Sequence, residues 1–198
     1  MKAVRLVAWI FVFALLVLVG YRYLNQDGGP NSGPGGPFTL TAHTGEKLSD
    51  SDFRGKFMLV YFGYSYCPDV CRIELHKLST ALKLLEDEGF DLAPVQPLFI
   101  SVDPERDTVA ELADYVLDYH KSLIALTGTP QEIADVAKKY KVYYTKREME
   151  GVDGYLMDHQ SYIFVMDQGG VYNRLFTQRD TPQDIADVFK TVLDKKPK

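Results

Sequence analysis

Residues 57–71 read FMLVYFGYSYCPDVC, and this stretch decides the fold. Its first six residues form a continuous apolar run, typical of a strand that is covered on both faces of a sheet. After the cysteine-containing loop, leucines recur at the spacing of one helix face, and Gly89 follows as a helix end. Residues 98–102, LFISV, are a second apolar run. The order predicts a βαβ unit with two parallel strands and a right-handed crossover.

Hairpins and helix caps surround this unit. Residues 38–48 alternate apolar and polar side chains around a Thr-Gly turn, and residues 161–176 are two strand-like runs around DQGG, so we predict two hairpins. A short strand is predicted near residues 123–126. Three capping patterns predict three further helices, and they begin at Thr108, Thr129 and Thr181. This order predicts an α/β, thioredoxin-like fold: a central mixed sheet flanked by helices, with an N-terminal hairpin and an insertion.

The composition excludes several classes of protein. The 198 residues are 46% hydrophobic and 13% aromatic, which predicts one globular domain with a core and excludes wholesale disorder. The net charge of −5 argues against nucleic-acid binding, since phosphates require a basic surface. Two cysteines are too few for a disulfide-stapled small fold or a four-cysteine zinc site.

The N-terminal region predicts a membrane anchor. Residues 1–24 contain an apolar run over residues 6–19 behind two cations, the pattern of one transmembrane signal anchor. Cleavage as a signal peptide is the alternative, but no A-x-A-like site follows. Residues 25–37 are a Gly/Pro-rich linker, which leaves residues 38–198 as the folded domain.

The charges and the composition of the N-terminal region predict the membrane and the side on which the domain lies. Two cations precede the apolar run and one follows it, which favours a cytoplasmic N-terminus and a domain on the other side of the membrane. An Arg- and Ser-rich transit peptide is absent from the sequence. We therefore favour a single-pass protein of the bacterial inner membrane, with its domain in the periplasm, over the mitochondrial inner membrane.

Cys67 and Cys71 carry the candidate chemistry. They lie at the carboxyl end of a predicted strand and at the start of a helix, where open α/β sheets place their sites and where free backbone N–H groups lower thiol pKa values. Dithiol–disulfide exchange is one chemistry for such a pair, and binding of a soft ion such as Cu(I) is the other. The three-residue gap is one wider than in usual redox motifs, which weakens a purely redox interpretation. Two semi-buried hydrophobic side chains are the remaining alternative.

His159 is the candidate third ligand. It directly precedes the predicted strand at residues 161–166. If that strand runs antiparallel to residues 57–62, its start lies beside the end of the first strand, and His159 lies near the cysteines. Asp158 and Asp69 are candidates to orient these ligands by hydrogen bonds without binding the metal themselves. The other histidines are interpreted as surface or capping residues: His43, His76 and His120.

Three motifs together resemble the SCO/SenC family of copper chaperones. They are YFGYSYCPDVC at residues 61–71, SVDPERDT at residues 101–108, and Asp158-His159, and the likeness covers about residues 38–193. The resemblance implies copper, as Cu(I) or Cu(II), bound by Cys67, Cys71 and His159. It also implies a redox disulfide between the two cysteines and a role in maturing the CuA centre of cytochrome c oxidase.

The resemblance also implies partners, and one residue departs from it. The expected partners are cytochrome c oxidase subunit II or its assembly intermediate, a periplasmic copper donor, and a thiol reductant, since the periplasm is oxidising. The family commonly has proline where this chain has Arg72, a cation expected to favour thiolate and to alter partner docking. Such a chaperone is not an enzyme, although the cysteine pair allows an accessory thiol–disulfide reductase activity.

The sequence leaves two alternative functions open, and two further segments have a structural interpretation. One alternative is a thiol–disulfide oxidoreductase that keeps a partner's copper-site cysteines reduced, and the other is a redox-sensing signalling domain. Residues 103–108 are interpreted as a turn followed by a helix cap, with Asp107 and Thr108 as the capping residues. Residues 147–154 are interpreted as an acidic loop that lets metal enter.

Overall fold

The computed structural model describes residue 9 and residues 12–20, 33–148 and 154–194. Its contacts separate residues 1–32 from residues 33–198 as two compact units. In the first unit, residues 12–20 are helical, while the rest of the predicted anchor, apart from residue 9, and linker residues 25–32 lie outside the described residues. Within the described ranges, no helix has both the length and the apolar character needed to cross a bilayer.

The second unit is a mixed α/β fold. Its described strands are β1 (Thr39–Ala42), β2 (Lys47–Ser49), β3 (Phe57–Gly63), β4 (Val95–Ser101), β5 (Ile124–Thr127), β6 (Tyr144–Glu148), β7 (Tyr155–His159), β8 (Ile163–Met166) and β9 (Tyr172–Phe176). Its α-helices are α1 (Val70–Asp87), α2 (Val109–Tyr115), α3 (Pro130–Lys139) and α4 (Pro182–Lys190), and 3₁₀ turns cover Asp50–Phe53 and Val116–Asp118.

Seven strands form one sheet in the order β2-β1-β5-β4-β3-β8-β9. β3, β4 and β5 are parallel, whereas β1 and β8 join them antiparallel, so the sheet is mixed as predicted. The β1–β2 and β8–β9 pairs confirm the two predicted hairpins. The parallel β3–β4 pair on either side of α1 confirms the predicted βαβ unit.

Helices cover both faces of this sheet. Successive side chains of β3 point to opposite faces, so each face can be followed through one of its aromatic residues. On one face, Phe57 meets Phe189 of α4 at a ring-centroid distance of 5.8 Å. On the other face, Phe62 meets Tyr140, the residue that follows α3, at 5.3 Å. Both faces of β3 are therefore buried, which is why residues 57–62 form an unbroken apolar run.

The predicted helix starts are present. The hydroxyls of Thr108, Thr129 and Thr181 each accept a hydrogen bond from the backbone N–H three residues further on. Such caps satisfy donors that the first helical turn leaves free. At the far end of α1, Gly89 has φ of +85°, the left-handed conformation that ends a helix.

The interpretation of residues 147–154 as a loop was wrong for residues 147 and 148. Residues 147 and 148 belong to β6, which pairs with β7 in a separate two-stranded antiparallel sheet, while residues 149–153 lie outside the described residues. Four of the five β6 side chains are exposed. A strand that buries so little has no apolar alternation for a sequence pattern to detect.

The start of the folded unit also differs from the prediction. The last five residues of the predicted linker contact the folded unit, where the Gly35 N–H donates to the carbonyl of Lys139 at 3.0 Å. The folded unit therefore begins earlier than residue 38.

Candidate metal centre

Two sulfurs and one imidazole meet beyond the end of β3. The ligand atoms of Cys67, Cys71 and His159 all lie within 4.8 Å of one another, and Cys71 Sγ lies 3.3 Å from His159 Nε2. Both cysteines are free thiols. Cys71 is fully buried, Cys67 is 5% exposed and His159 is half-buried. His159 therefore lies beside the two cysteines, as predicted, although 88 residues of sequence separate it from Cys71.

The sheet register brings these residues together. Tyr61 of β3 pairs with Ile163 of β8 in antiparallel register, so the chain enters β8 beside the end of β3. His159 ends β7 four residues before Ile163. On the other side, Cys71 is the second residue of α1 and faces the core, with Cys67 in the loop before it.

Backbone hydrogen bonding fixes the tautomer of His159. Its Nδ1 lies 2.9 Å from the carbonyl oxygen of Gln160, and a carbonyl oxygen only accepts hydrogen bonds. Nδ1 therefore carries a proton, and in the neutral ring the Nε2 lone pair faces Cys71. The rings of Tyr61 and Tyr64 stand edge-on to the imidazole at 6.2 and 5.9 Å and restrict its rotation. This is the form in which histidine binds a metal.

The two sulfurs form a pair that holds one proton. The Cys71 thiol donates to the Cys67 sulfur, and this bond lowers the pKa of Cys67 to about 4 despite its burial, with further help from the backbone N–H groups of Asp69 and Cys71. The same hydrogen bond, together with burial, raises the pKa of Cys71 above the ordinary thiol value. Removing the second proton therefore requires a compensating positive charge at the site.

The two predicted supporting carboxylates do not act as expected. Asp158 points to the opposite face of β7 from His159, because neighbouring strand residues alternate, and its carboxylate lies 3.1 Å from Nε of Arg147. The carbonyl of Gln160 orients the imidazole instead. The side chain of Asp69 is exposed, and this residue contributes its backbone N–H to the Cys67 sulfur.

Sequence reasoning missed the role of Gly63. A Cβ atom at this position would lie 2.9 Å from both Cys71 Sγ and Tyr61 Cε1, closer than real Cβ contacts. The absence of a side chain therefore lets the Cys71 sulfur pack against β3. A glycine at the end of an apolar strand is the sequence signal for such an approach.

Asp107 has a different role from the predicted one. Thr108 caps α2 as expected, but Asp107 is fully buried and accepts hydrogen bonds from Ser65 N–H at 3.1 Å, Ser65 Oγ at 2.6 Å and Ser101 Oγ at 2.5 Å. Burial raises its pKa. It therefore joins the loop before Cys67 to the end of β4.

The other three histidines make contacts outside the cluster. His43 Nδ1 accepts from the Ala125 N–H at 3.2 Å, and His120 Nδ1 lies 2.7 Å from Ser122 Oγ. The ring of His76 packs against Tyr119 at 5.0 Å. His76 is exposed, as the surface interpretation predicts, whereas the His120 side chain is only 8% exposed and His43 is half-buried.

Substituting Gly63→Ala should displace Cys71 and destabilise the fold. The added methyl group overpacks a buried contact, for which we expect a loss of about 1–3 kcal/mol in the free energy of unfolding. Denaturant unfolding of the reduced protein measures this loss. In the control Gly169→Ala, the nearest atom to the new Cβ is a side-chain oxygen at 3.2 Å, so we expect little change. Equal stabilities for both variants would contradict the close-packing role of Gly63.

The reduced protein should carry one thiolate at neutral pH. Because the pKa of Cys67 is lowered and that of Cys71 is raised, thiolate absorbance should stay at one equivalent per chain from about pH 6 to 8. It should fall only as the pH drops through about 4. Cys71→Ala removes the donor, so the pKa of Cys67 should rise towards the ordinary thiol value. Titration of wild-type Cys67 in the ordinary thiol range would disprove the shared proton.

Comparison with known proteins now places the chain. The SCO1/SenC family model matches residues 26–194. The bovine (Bos taurus) protein SCO2 homolog, mitochondrial, is 42% identical over 165 residues, which are 80% of this chain and 62% of that protein. The chain spans between 41% and 62% of the length of the first curated relatives that it matches.

Two solved structures share the fold. Arabidopsis thaliana ScoI with copper bound has a TM-score of 0.74 and 39% identity, over 80% of this chain and 97% of that one. Bradyrhizobium japonicum ScoI with copper bound has a TM-score of 0.73 and 39% identity, over 80% and 98%. These matches confirm the predicted fold class. Since one family model covers most of the sequence and the fold agrees, this chain belongs to the SCO1/SenC family.

Proposed function

We propose that this chain is a copper chaperone that binds copper through Cys67, Cys71 and His159 and delivers it during assembly of the CuA centre of cytochrome c oxidase. The observation that carries this proposal is the convergence of two free thiols and one imidazole lone pair within 4.8 Å. The copper-bound relatives that share the fold support it.

The donor set fits Cu(I). Two thiolates and one imidazole are soft to intermediate ligands, and Cu(I) is the ion that thiolates bind best among those available to such a site. Because the sulfur pair carries one proton, binding of Cu(I) displaces the Cys71 proton to solvent. The cation then supplies the positive charge that the second thiolate needs.

Transfer requires that a partner reach the bound ion. A cleft of about 510 Å³ opens beside Cys67, between the cysteine loop and α2. Arg72, the departure from the family pattern, lines this cleft opposite the acidic residues Glu111 and Asp114. A partner's thiolate that enters here adds to the copper as the chaperone's ligands leave, so that the ion is never released to water.

The proposed partners and location follow from the family and the sequence. Cytochrome c oxidase subunit II or its assembly intermediate receives the copper, a second protein donates it, and a thiol reductant restores the dithiol. Residues 1–24 anchor the chain with the domain outside the cytoplasm. Its placement in a bacterial inner membrane rests on the sequence argument alone, since the bovine relative has a mitochondrial name.

A thiol–disulfide oxidoreductase is the second candidate function, and the lowered pKa of Cys67 favours it. The Cys67 thiolate would attack a partner's disulfide, and Cys71 would then resolve the mixed disulfide. The two thiols would become one disulfide while the partner's disulfide would become two thiols. This chemistry does not use His159 as a ligand, which separates the two functions experimentally.

His159→Ala should weaken copper binding while leaving dithiol exchange nearly intact. Removing one of three ligands should lower the Cu(I) affinity by more than about tenfold, read by competition with a chromophoric Cu(I) chelator. X-ray absorption should count two sulfurs and one nitrogen around copper in the wild type, and lose the nitrogen in the variant. His76→Ala, on the exposed side of α1, is the matched control.

Two results would overturn parts of this proposal. A His159→Ala variant that holds copper as tightly as wild type would exclude His159 as a ligand. A reduced wild type that binds no copper yet readily reduces protein disulfides would establish the oxidoreductase instead.

The membrane anchor has its own test. The full chain, expressed in a bacterial host, should stay in the membrane fraction after an alkaline wash, whereas residues 33–198 alone should be released. Leu15→Arg in the full chain places a charge inside the apolar run and should reduce retention. Recovery of the unaltered full-length chain in the soluble fraction would refute the anchor, and a shortened soluble product would establish signal-peptide cleavage.

A further inference from the structure

The strand that carries His159 is fixed to the seven-stranded sheet at one end. β7 pairs with β6 in a two-stranded sheet of their own, and the chain joins the main sheet only after β7, at β8. Between them, Ser161 Oγ lies 3.2 Å from the hydroxyl of Tyr61 on β3. The carboxyl end of β7 is therefore secured by the main sheet. Its amino end, at Tyr155, needs another attachment.

Arg106 provides that attachment, together with its neighbour Glu105, which accepts from the Tyr155 hydroxyl at 3.3 Å and from Lys146 of β6 at 2.9 Å. Its guanidinium carbon lies 3.7 Å from the ring centroid of Tyr155, and its Nη1 donates to the Tyr155 carbonyl at 3.0 Å. Asp103 completes the group, since it accepts from Arg106 Nε at 2.5 Å and from the Tyr155 hydroxyl at 2.8 Å. We call Arg106, Asp103 and Tyr155 the Arg106 cluster. Asp103 is almost fully buried, so its charge is compensated in place.

The same guanidinium reaches the cysteine loop. It lies 5.0 Å from the ring centroid of Tyr66 and 5.6 Å from that of Tyr64, which lie one and three residues before Cys67. Within about 6 Å, a guanidinium is attracted to the face of an aromatic ring. One side chain therefore contacts the strand of His159 and the loop of Cys67 together.

Tyr155 and His159 lie on the same face of β7. Residues 155, 157 and 159 alternate with outward-facing neighbours, and Met157 between them is buried. At about 3.3 Å per residue, the two ends of this face are about 13 Å apart. Because a paired strand moves as a unit, the position of Tyr155 sets the direction in which the His159 imidazole points.

We propose that Arg106 is a positioning residue for the metal centre: by holding Tyr155 it keeps Nε2 of His159 aimed at the two sulfurs. This inference rests on the proposed function, in which His159 is the third copper ligand. Arginine suits the task better than lysine, since its planar fork stacks on the ring and donates to Asp103 and to the Tyr155 carbonyl at once.

The test compares copper binding in a double-mutant cycle. Arg106→Gln should lower the Cu(I) affinity of the reduced full chain by about 10–100-fold, the usual effect of losing a group that orients a ligand. X-ray absorption should show two sulfur neighbours retained and the nitrogen neighbour lost or partly occupied. In a His159→Ala background, Arg106→Gln should change the affinity no further, because its whole effect passes through the imidazole.

Matched variants separate positioning from folding. Arg147→Gln removes an exposed cation from the outer face of β6 and should leave the affinity unchanged. Tyr155→Phe keeps the ring beneath the guanidinium and should cost less than Tyr155→Ala. If Arg106→Gln does not fold, Arg106→Lys retains the charge opposite Asp103 and should give the same pattern in weaker form.

A measurement without copper completes the test. In the metal-free protein, Arg106→Gln should make His159 react faster with diethyl pyrocarbonate, while the rate at His76 stays unchanged as an internal reference. Unchanged His159 reactivity would overturn the inference whether or not the chain binds copper.

Three copper results divide the two proposals. If wild type shows two sulfurs and one nitrogen and Arg106→Gln matches it in affinity and in neighbour count, the positioning role is wrong and the proposed function stands. An equal loss of affinity in the His159→Ala background would place the action of Arg106 at the cysteine loop, which also overturns the inference. A wild type without copper affinity would refute the proposed function alone, and the reactivity of His159 would still decide the role of Arg106.

Discussion

The antiparallel register between β3 and β8 is the constraint on which the centre depends. With Tyr61 opposite Ile163, the segment that leads into β8 must pass the end of β3, where the cysteine loop begins. A register shift of one residue would turn every side chain of β8 to the other face and disrupt the packing on both faces. All four β8 residues are buried. The hydrophobic core therefore fixes the register, and the register brings a distant histidine to two sulfurs.

Packing and charge act together at this point. Gly63 gives the Cys71 sulfur room against β3, and the same burial makes a second negative charge costly, so the pair keeps one proton. The Nδ1–H of the imidazole donates to the Gln160 carbonyl, so in the neutral ring the Nε2 lone pair is left for a cation. The cluster thus offers three donors to a cation while carrying a single charge in its absence. A site with this balance binds a cation with release of a proton, and its affinity rises with pH.

The sequence predicted those parts of the structure that bury apolar surface or repeat a local pattern. The continuous run at residues 57–62 marked β3, and capping threonines marked three helices. β6 escaped prediction because its side chains are exposed and carry no alternation. The expected support from Asp158 failed because neighbours along β7 point to opposite faces, and assigning that face requires knowing that residues 155–159 form a strand. Gly63 acts by leaving room for the Cys71 sulfur, and Gln160 acts through its backbone carbonyl. Neither role depends on a side chain, so no pattern of side chains predicts it.

The ligands of the centre come from two different parts of the fold, and this division suits the proposed delivery of the ion to a partner. The sulfurs lie on α1 and its preceding loop, fixed to the main sheet by the Asp107 hydrogen bonds to Ser65 and Ser101. The imidazole lies on a two-stranded sheet whose far end is held by the Arg106 cluster. The half-buried imidazole leaves at a lower cost than the Cys71 sulfur, which is built into the core. Under the proposed function, exchange with a partner's ligand should therefore begin at His159 and finish at the thiolates, because the most weakly held donor is displaced first.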